Sequence, residues 1–178
     1  MKVFVFTLFL FSSLAIADGG WRDERGVQVP DTGARKTLRG FAGWVFATPD
    51  ADWEKKWDTS PEAVPHFVEA KKVSRGQKIS VLTFFANPEL NGAGKASISC
   101  DLDITRPDGS SASHQNGLVC FNGVLKSDPH YVYVSDPVIV FVGDPGDPAG
   151  TWHIHIALTD NIRHVTLPLD ASFELLDK

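Results

Sequence analysis

The chain has 178 residues, a formal net charge of −5, and 43% hydrophobic against 22% charged residues. This length predicts one domain, large enough to bury roughly two-thirds of its unfolded surface without metals or many disulfides. No segment carries a basic stripe, which disfavours nucleic acid as a partner because phosphate contacts need clustered Lys and Arg. Short runs of Val, Ile, Phe, Thr and Trp are broken by 15 Gly and 11 Pro, a mixture that favours strands and turns over helices.

Met1-Lys2 opens an apolar run that continues from Val3 through Phe11 and Leu14 to Ala17. One lysine, a short apolar core and the small-residue pattern Ala15-Ile16-Ala17 predict a secretory signal over residues 1–17, cleaved after Ala17. As a helix the run would reach only about 22 Å, short of the roughly 30 Å hydrocarbon core, so a membrane anchor is the poorer reading. No cysteine near the cleavage site suggests a lipid anchor, and no other apolar stretch is long enough to span a bilayer. The expectation is an exported protein, periplasmic or secreted, with no membrane span in its mature part. In an oxidising compartment the two cysteines, Cys100 and Cys120, are expected to pair. Closing that loop contributes about 3 kcal/mol in the chain-entropy model. A catalytic thiol is the competing idea, but it has no recognisable flanking motif.

Residues 18–40 are polar and of mixed charge, with no sustained apolar period, and read as a flexible N-terminal arm. The folded domain is expected over residues 41–178. Its first strand is Phe41–Thr48, followed by a short helical turn holding Trp53 and Trp57. Residues 66–73 read as a strand, with a turn at Ser74-Arg75-Gly76. Residues 78–86 are strongly apolar and predict a central strand. In residues 95–105, Ala96, Ile98, Cys100, Leu102 and Ile104 alternate with Ser97, Ser99, Asp101 and Asp103, so period two puts the apolar set on one face.

Arg106-Pro107-Asp108-Gly109 is a turn, since proline presets φ and glycine accepts positive φ. The Ser-rich stretch up to Gly117 is expected to lengthen that loop, with a strand over 117–125. Cys100 and Cys120 would then lie near the base of one hairpin, both facing inward. Residues 130–134 and 137–142 are further extended runs, and 143–150 a surface loop with two Asp-Pro pairs. Residues 151–158 and 163–169 predict a hairpin, and 171–176 a closing strand. With no useful helical period, the pattern predicts an all-β antiparallel sandwich, with a closed barrel as the alternative.

At Asp147-Pro148-Ala149-Gly150-Thr151-Trp152-His153-Ile154-His155-Ile156 the chain resembles secreted immunoglobulin-like and fibronectin-like modules, which enter a late strand through a Pro-x-Gly-x-aromatic-x-aliphatic pattern. Pro107-Asp108-Gly109-Ser110 after an alternating strand is another feature of those modules. The resemblance extends over residues 76–176 in rhythm but only about twenty residues in motif, a weakly specific signal. It implies a fold and no particular ligand. The cysteine pair departs from the antibody pattern, being local to one hairpin instead of joining two sheets.

Three constellations could carry chemistry. His153 and His155 point outward together if Trp152, Ile154, Ile156 and Leu158 face the core. Pairing Leu158 with Arg163 would put His164 opposite Ala157, bringing three imidazoles to one face, a set suited to zinc or copper. The His-x-His pair resembles ligand pairs of cupins and carbonic anhydrases, whose remaining motifs are missing; three histidines on a solvated face is the simpler reading. Trp53 and Trp57, four apart on a helical turn, share a face and with Trp44, Phe84 or Phe85 would form a stacking platform for a glycan or an anchor for a partner protein. The plainer alternative is that they close one end of the core. Asp144 with Asp147, and Asp101 with Asp103, lack calcium-loop spacing and read as turn and surface residues.

Gly-x-Ser-x-Gly, His-Glu-x-x-His and phosphate-cradling glycine loops are absent. The expectation is therefore a non-enzymatic module without a cofactor. It would work by contact with an envelope or extracellular protein, with glycan binding or metal binding as alternatives.

Overall fold

The computed structural model describes residues 20–22, 25–58 and 66–177, and the signal expected over 1–17 lies outside them. Among the described residues about half lie in strands, and the one helix has five residues. β1 (Arg35–Leu38), β2 (Phe41–Thr48) and β4 (Lys78–Ala86) form one sheet in that order. β7 (Val132–Val134) and β8 (Ile139–Val142) follow each other along the far side of β4, on Phe84–Ala86 and Lys78–Val81 respectively. The second sheet runs β3 (Lys72–Val73), β10 (Val165–Leu175), β9 (Gly150–Asp160), β5 (Lys95–Thr105), β6 (Ser111–Val124). Helix α1 (Trp53–Trp57) lies between β2 and β3. All pairings are antiparallel except β3 with β10.

The sheets pack face to face because alternate residues of both supply apolar side chains. Phe41, Val45, Ile79, Val81 and Phe85 of one sheet share a core with Ile98, Leu102, Trp152, Ile154, Ile156, Leu158, Leu167, Leu169 and Phe173 of the other. Each such burial contributes about 1.5–3 kcal/mol relative to exposure. The sheets approach closely at Gly43, where a Cβ would lie 2.8 Å from Leu158, 3.0 Å from Leu167 and 3.2 Å from Leu169. The alternation expected in β5 is observed, with Ala96, Ile98, Cys100 and Leu102 buried. Cys100 and Cys120 form the expected disulfide between neighbouring strands of one sheet.

Several boundaries differ from the sequence expectation. The arm does not end at residue 40: Arg35–Leu38 pairs with β2 through a two-residue turn, and Arg39 and Gly40 both have positive φ. Its four side chains have no apolar alternation, so the strand arises from pairing with β2. Residues 66–73 are a crossover more than a strand. Phe67 packs on the outside of the first sheet, Ala70 and Val73 enter the core, and only Lys72–Val73 pairs with β10. The Ser-rich stretch is no loop, since β6 begins at Ser111 and pairs with β5 across the tight turn at 106–110. The closing strand at 171–176 is the continuation of β10.

The last hairpin also has a different register. Leu158 pairs with Leu167, not Arg163. The reason is Asp160, fully buried at 0% exposure. Its Oδ1 accepts from Ile162 N at 3.1 Å and Arg163 N at 3.0 Å, and its Oδ2 accepts from Glu89 N at 2.7 Å. The carboxylate thereby ends β9 two residues later than expected and delays β10 to Val165. Replacing it leaves three backbone donors without an acceptor in a buried place. Asp160→Ala is expected to lose about 3 kcal/mol of stability in urea unfolding, and Asp160→Asn less, since one acceptor oxygen remains.

Candidate functional site

Three surfaces carry the residues of interest. The first is the outer face of the β1-β2-β4 sheet, which is aromatic. Period two sends Trp44 and Phe46 of β2 and Leu82 and Phe84 of β4 to this side, while Phe85 turns inward against Tyr133 and Phe121. Phe85 therefore cannot join a platform with Phe84. Trp44 stacks on Phe46 with centroids 4.9 Å apart, Phe46 on Phe84 at 5.7 Å, and Trp21 meets Trp44 edge-on at 6.0 Å. Trp57 lies on Phe84 at 5.0 Å, and Phe67 closes over Phe46 at 5.6 Å. Trp53 and Trp57 are both half-buried in this layer.

One carboxylate ties the cover down. Asp50 Oδ2 accepts from Lys56 Nζ at 2.8 Å and from Val68 N at 3.0 Å, joining α1 to the crossover segment. Burial alone would raise the Asp50 carboxyl, but the Lys56 ammonium and the Val68 N–H outweigh it and hold the group below its ordinary value of 3.8. Lys56 is raised, chiefly by its hydrogen bond to Asp50. Beside this pair, Thr48, Pro49, Asp50, Ala51, Trp53, Lys78 and Ser80 line a cleft of ≈ 70 Å³. Ligand pockets usually measure about 300–1,000 Å³, so the cleft alone admits little more than ordered water or one small group.

The second surface is the outer face of the β3-β10-β9-β5-β6 sheet. His153 and His155 point outward as expected, but His164 sits in the turn with φ 56°, not opposite Ala157. The expected triad of His153, His155 and His164 therefore does not form, because the later register carries His164 past the end of the ladder. Among the described residues no group of three or more His, Cys, Asp or Glu is placed to hold a metal ion. What the register does assemble is a row across four strands: His114 opposite Asp103, Asp103 opposite His155, and His155 opposite Asp170. His114 Nδ1 is 2.5 Å from Asp103 Oδ1, and His155 Nδ1 is 2.7 Å from Asp170 Oδ1. His114 was not among the residues singled out from the sequence. Its signal was there, since His114 and Asp103 lie at similar distances on either side of Pro107-Asp108-Gly109. Asp101 accepts from Gly117 N at 2.7 Å, and Asp144 and Asp147 bond each other's backbone within a turn.

The third surface is the free side of β6. This edge strand has fourteen residues and contains no Lys, Arg, Asp, Glu or Pro. No described strand pairs with its outer side, and the Cys120 carbonyl accepts from Asp136 N at 3.0 Å. Val119 is 65% exposed and Val124 62%. The other edges are unlike it: β1 carries Arg35 and Lys36, and β3, β7 and β8 have two, three and four residues.

No family model and no curated protein matches this chain. Solved structures similar to it include a family 123 glycoside hydrolase from Clostridium perfringens, at 9% identity and TM-score 0.43, covering 76% of this chain and 28% of the hydrolase. A CARDB domain from Pyrococcus furiosus in complex with di-metal ions aligns at 13% identity and TM-score 0.35, over 60% of this chain and 81% of that domain. A Niemann-Pick type C2 protein from the Japanese carpenter ant aligns at 7% identity and TM-score 0.34, over 74% and 89%. The chain thus spans little more than a quarter of the hydrolase. Scores this low bear on neither activity nor ligand.

Two measurements check the aromatic layer. Trp57→Ala removes a ring lying on Phe84 and is expected to cost about 2 kcal/mol in chemical unfolding, less than a fully buried aromatic. The Asp50 carboxyl is lower folded than unfolded, so its stabilisation is present above pH 3.8 and is lost as pH falls below it. Asp50→Asn is accordingly expected to destabilise at neutral pH, with the gap to wild type closing in acid.

Proposed function

We propose that this protein is an exported, non-enzymatic module of immunoglobulin-like type that binds another protein by strand addition at β6. The observation that carries the reading is the length and neutrality of that edge. Exposed edges template pairing with another chain, and proteins usually blunt them with Lys, Pro or brevity. β6 has none of these, although bulges interrupt its ladder to β5. Strand addition uses main-chain hydrogen bonds for affinity and alternate side chains for selectivity, for which Val119 and Val124 are available.

Strand order supports the immunoglobulin-like part of this proposal. β2-β4-β8 faces β10-β9-β5-β6, and from β5 onward the chain visits the two sheets in alternating pairs, as such modules do. The disulfide within one sheet departs from the antibody pattern. Export is supported by the signal pattern of residues 1–17 and by the disulfide, which suits an oxidising compartment.

The test uses a photoreactive residue at Val124 in the producing cell, with Val140 on the opposite sheet as the control position. A discrete protein adduct from Val124, lost when Val119→Lys places a charge on the edge, is the expected result. Equal adducts from both positions, or none from Val124, would overturn the reading.

A second reading is favoured by one observation: Trp53 lines the small cleft together with the polar groups of Thr48, Asp50, Lys78 and Ser80. An indole beside hydrogen-bonding groups suits a sugar ring stacked at the cleft mouth. Retention on polysaccharide columns that survives Trp53→Ala unchanged would remove it.

A further inference from the structure

The bulge in β6 opposite Asp101 holds the pair Asn116-Gly117, and neither residue has a partner in the β5 ladder. We propose that this pair is a self-modifying site, at which Asn116 cyclises onto the backbone nitrogen of Gly117 and is converted to aspartate and isoaspartate. The chemistry needs a nucleophilic nitrogen, a group to take its proton, and a group to protonate the departing ammonia. All three are in place. The Gly117 N–H donates to Asp101 Oδ1 at 2.7 Å, so the carboxylate is set to remove that proton. Asn116 Nδ2 is 2.9 Å from His114 Nε2, and His114 Nδ1 is 2.5 Å from Asp103 Oδ1. An imidazole backed by a carboxylate thus touches the leaving nitrogen, as in the base-and-orienter pairs of acyl-transfer sites.

In the first step Gly117 N attacks Asn116 Cγ and its proton passes to Asp101. The carboxamide nitrogen becomes a basic amine in the tetrahedral intermediate. In the resting site Asn116 Nδ2–H donates to His114 Nε2, which therefore carries no proton. Once the nitrogen is an amine, Nε2 draws a proton from water and passes it on, the Cγ–Nδ2 bond breaks, ammonia leaves, and Asp101 returns its proton to the hydroxide. The product is a five-membered imide. Water then opens the imide at either carbonyl, giving Asp or isoAsp at position 116. No oxidant or cofactor is consumed. Gly117, at φ 66°, has no Cβ, and the position a Cβ would take is open, so nothing crowds the ring.

The chain contains its own comparators. Asn122-Gly123 has the same sequence, but both residues are paired in the ladder, with Ser97 and Ala96. Asn91-Gly92 carries its bonds on the carboxamide oxygen, which accepts from Ala93 N at 2.9 Å and Lys95 N at 3.0 Å. Conversion at Asn116 adds a carboxylate beside Asp101 and Asp103, and the isoaspartyl form lengthens the backbone of the edge strand by one carbon. The chemistry stands whether or not β6 binds a partner.

The test is peptide mass mapping with isoaspartate detection after incubating the folded protein at neutral pH, beside the same protein held in concentrated urea. In the fold, Asn116 is expected to convert about tenfold or more faster than Asn122 or Asn91, an advantage of the size acid–base groups supply, and to lose it in urea. Asp101→Asn and His114→Gln are each expected to slow conversion of Asn116 about tenfold or more while the circular dichroism spectrum is unchanged. The proposal is overturned if Asn116 in the folded protein converts no faster than Asn122, or no faster than in urea. It is equally overturned if both folded variants convert at the wild-type rate.

Discussion

Everything in this structure depends on β2 and β4 being apolar on both faces. A strand buried on one side can be served by a single partner sheet, but Phe84 and Leu82 point away from that partner just as Phe85 and Val81 point toward it. Leaving the outer rings in water would forfeit a large share of the folding free energy of a domain this size. The chain therefore supplies a cover from pieces distant in sequence: Trp21 from the N-terminal segment, α1, and Phe67 from the crossover. The helix is too short to stand alone. It persists because its tryptophans have rings to lie on and because Asp50 binds both it and residue 68.

The same two-sidedness explains which parts of the fold were legible. The bounds of β2, β4 and β5 follow from uninterrupted apolar runs or clean alternation, and they agree residue for residue with the structure. The sequence places the start of β6 at residue 117 because Ser111, Ser113, His114, Gln115 and Asn116 look like loop residues. Their partners on β5 decide otherwise, and pairing across a tight turn is not written in one strand's composition. β1 is invisible in the sequence for the same reason. The histidine triad failed on a single side chain, since Asp160 moves the turn and the whole ladder with it.

The candidate surfaces were legible in an uneven way. Both tryptophans of α1 pack into the outer aromatic layer, and Trp57 lies on Phe84. His153 and His155 were oriented correctly, yet the groups gathered around them, Asp103, Asp170 and His114, come from three other strands. Relations of this kind are set by register, which one strand's composition does not determine.

The disulfide has a mechanical meaning. β6 is the outermost strand of its sheet, and an outermost strand under load normally peels away one hydrogen bond at a time. Here the covalent link from Cys120 to Cys100 fastens it to β5, which is itself clamped by β9. The Cys120 carbonyl also takes Asp136 N, tying the same point to the connection between β7 and β8, two strands of the opposite sheet. A pull applied along β6 is thereby passed at one position into both layers of the domain, and the rim behaves as part of the interior.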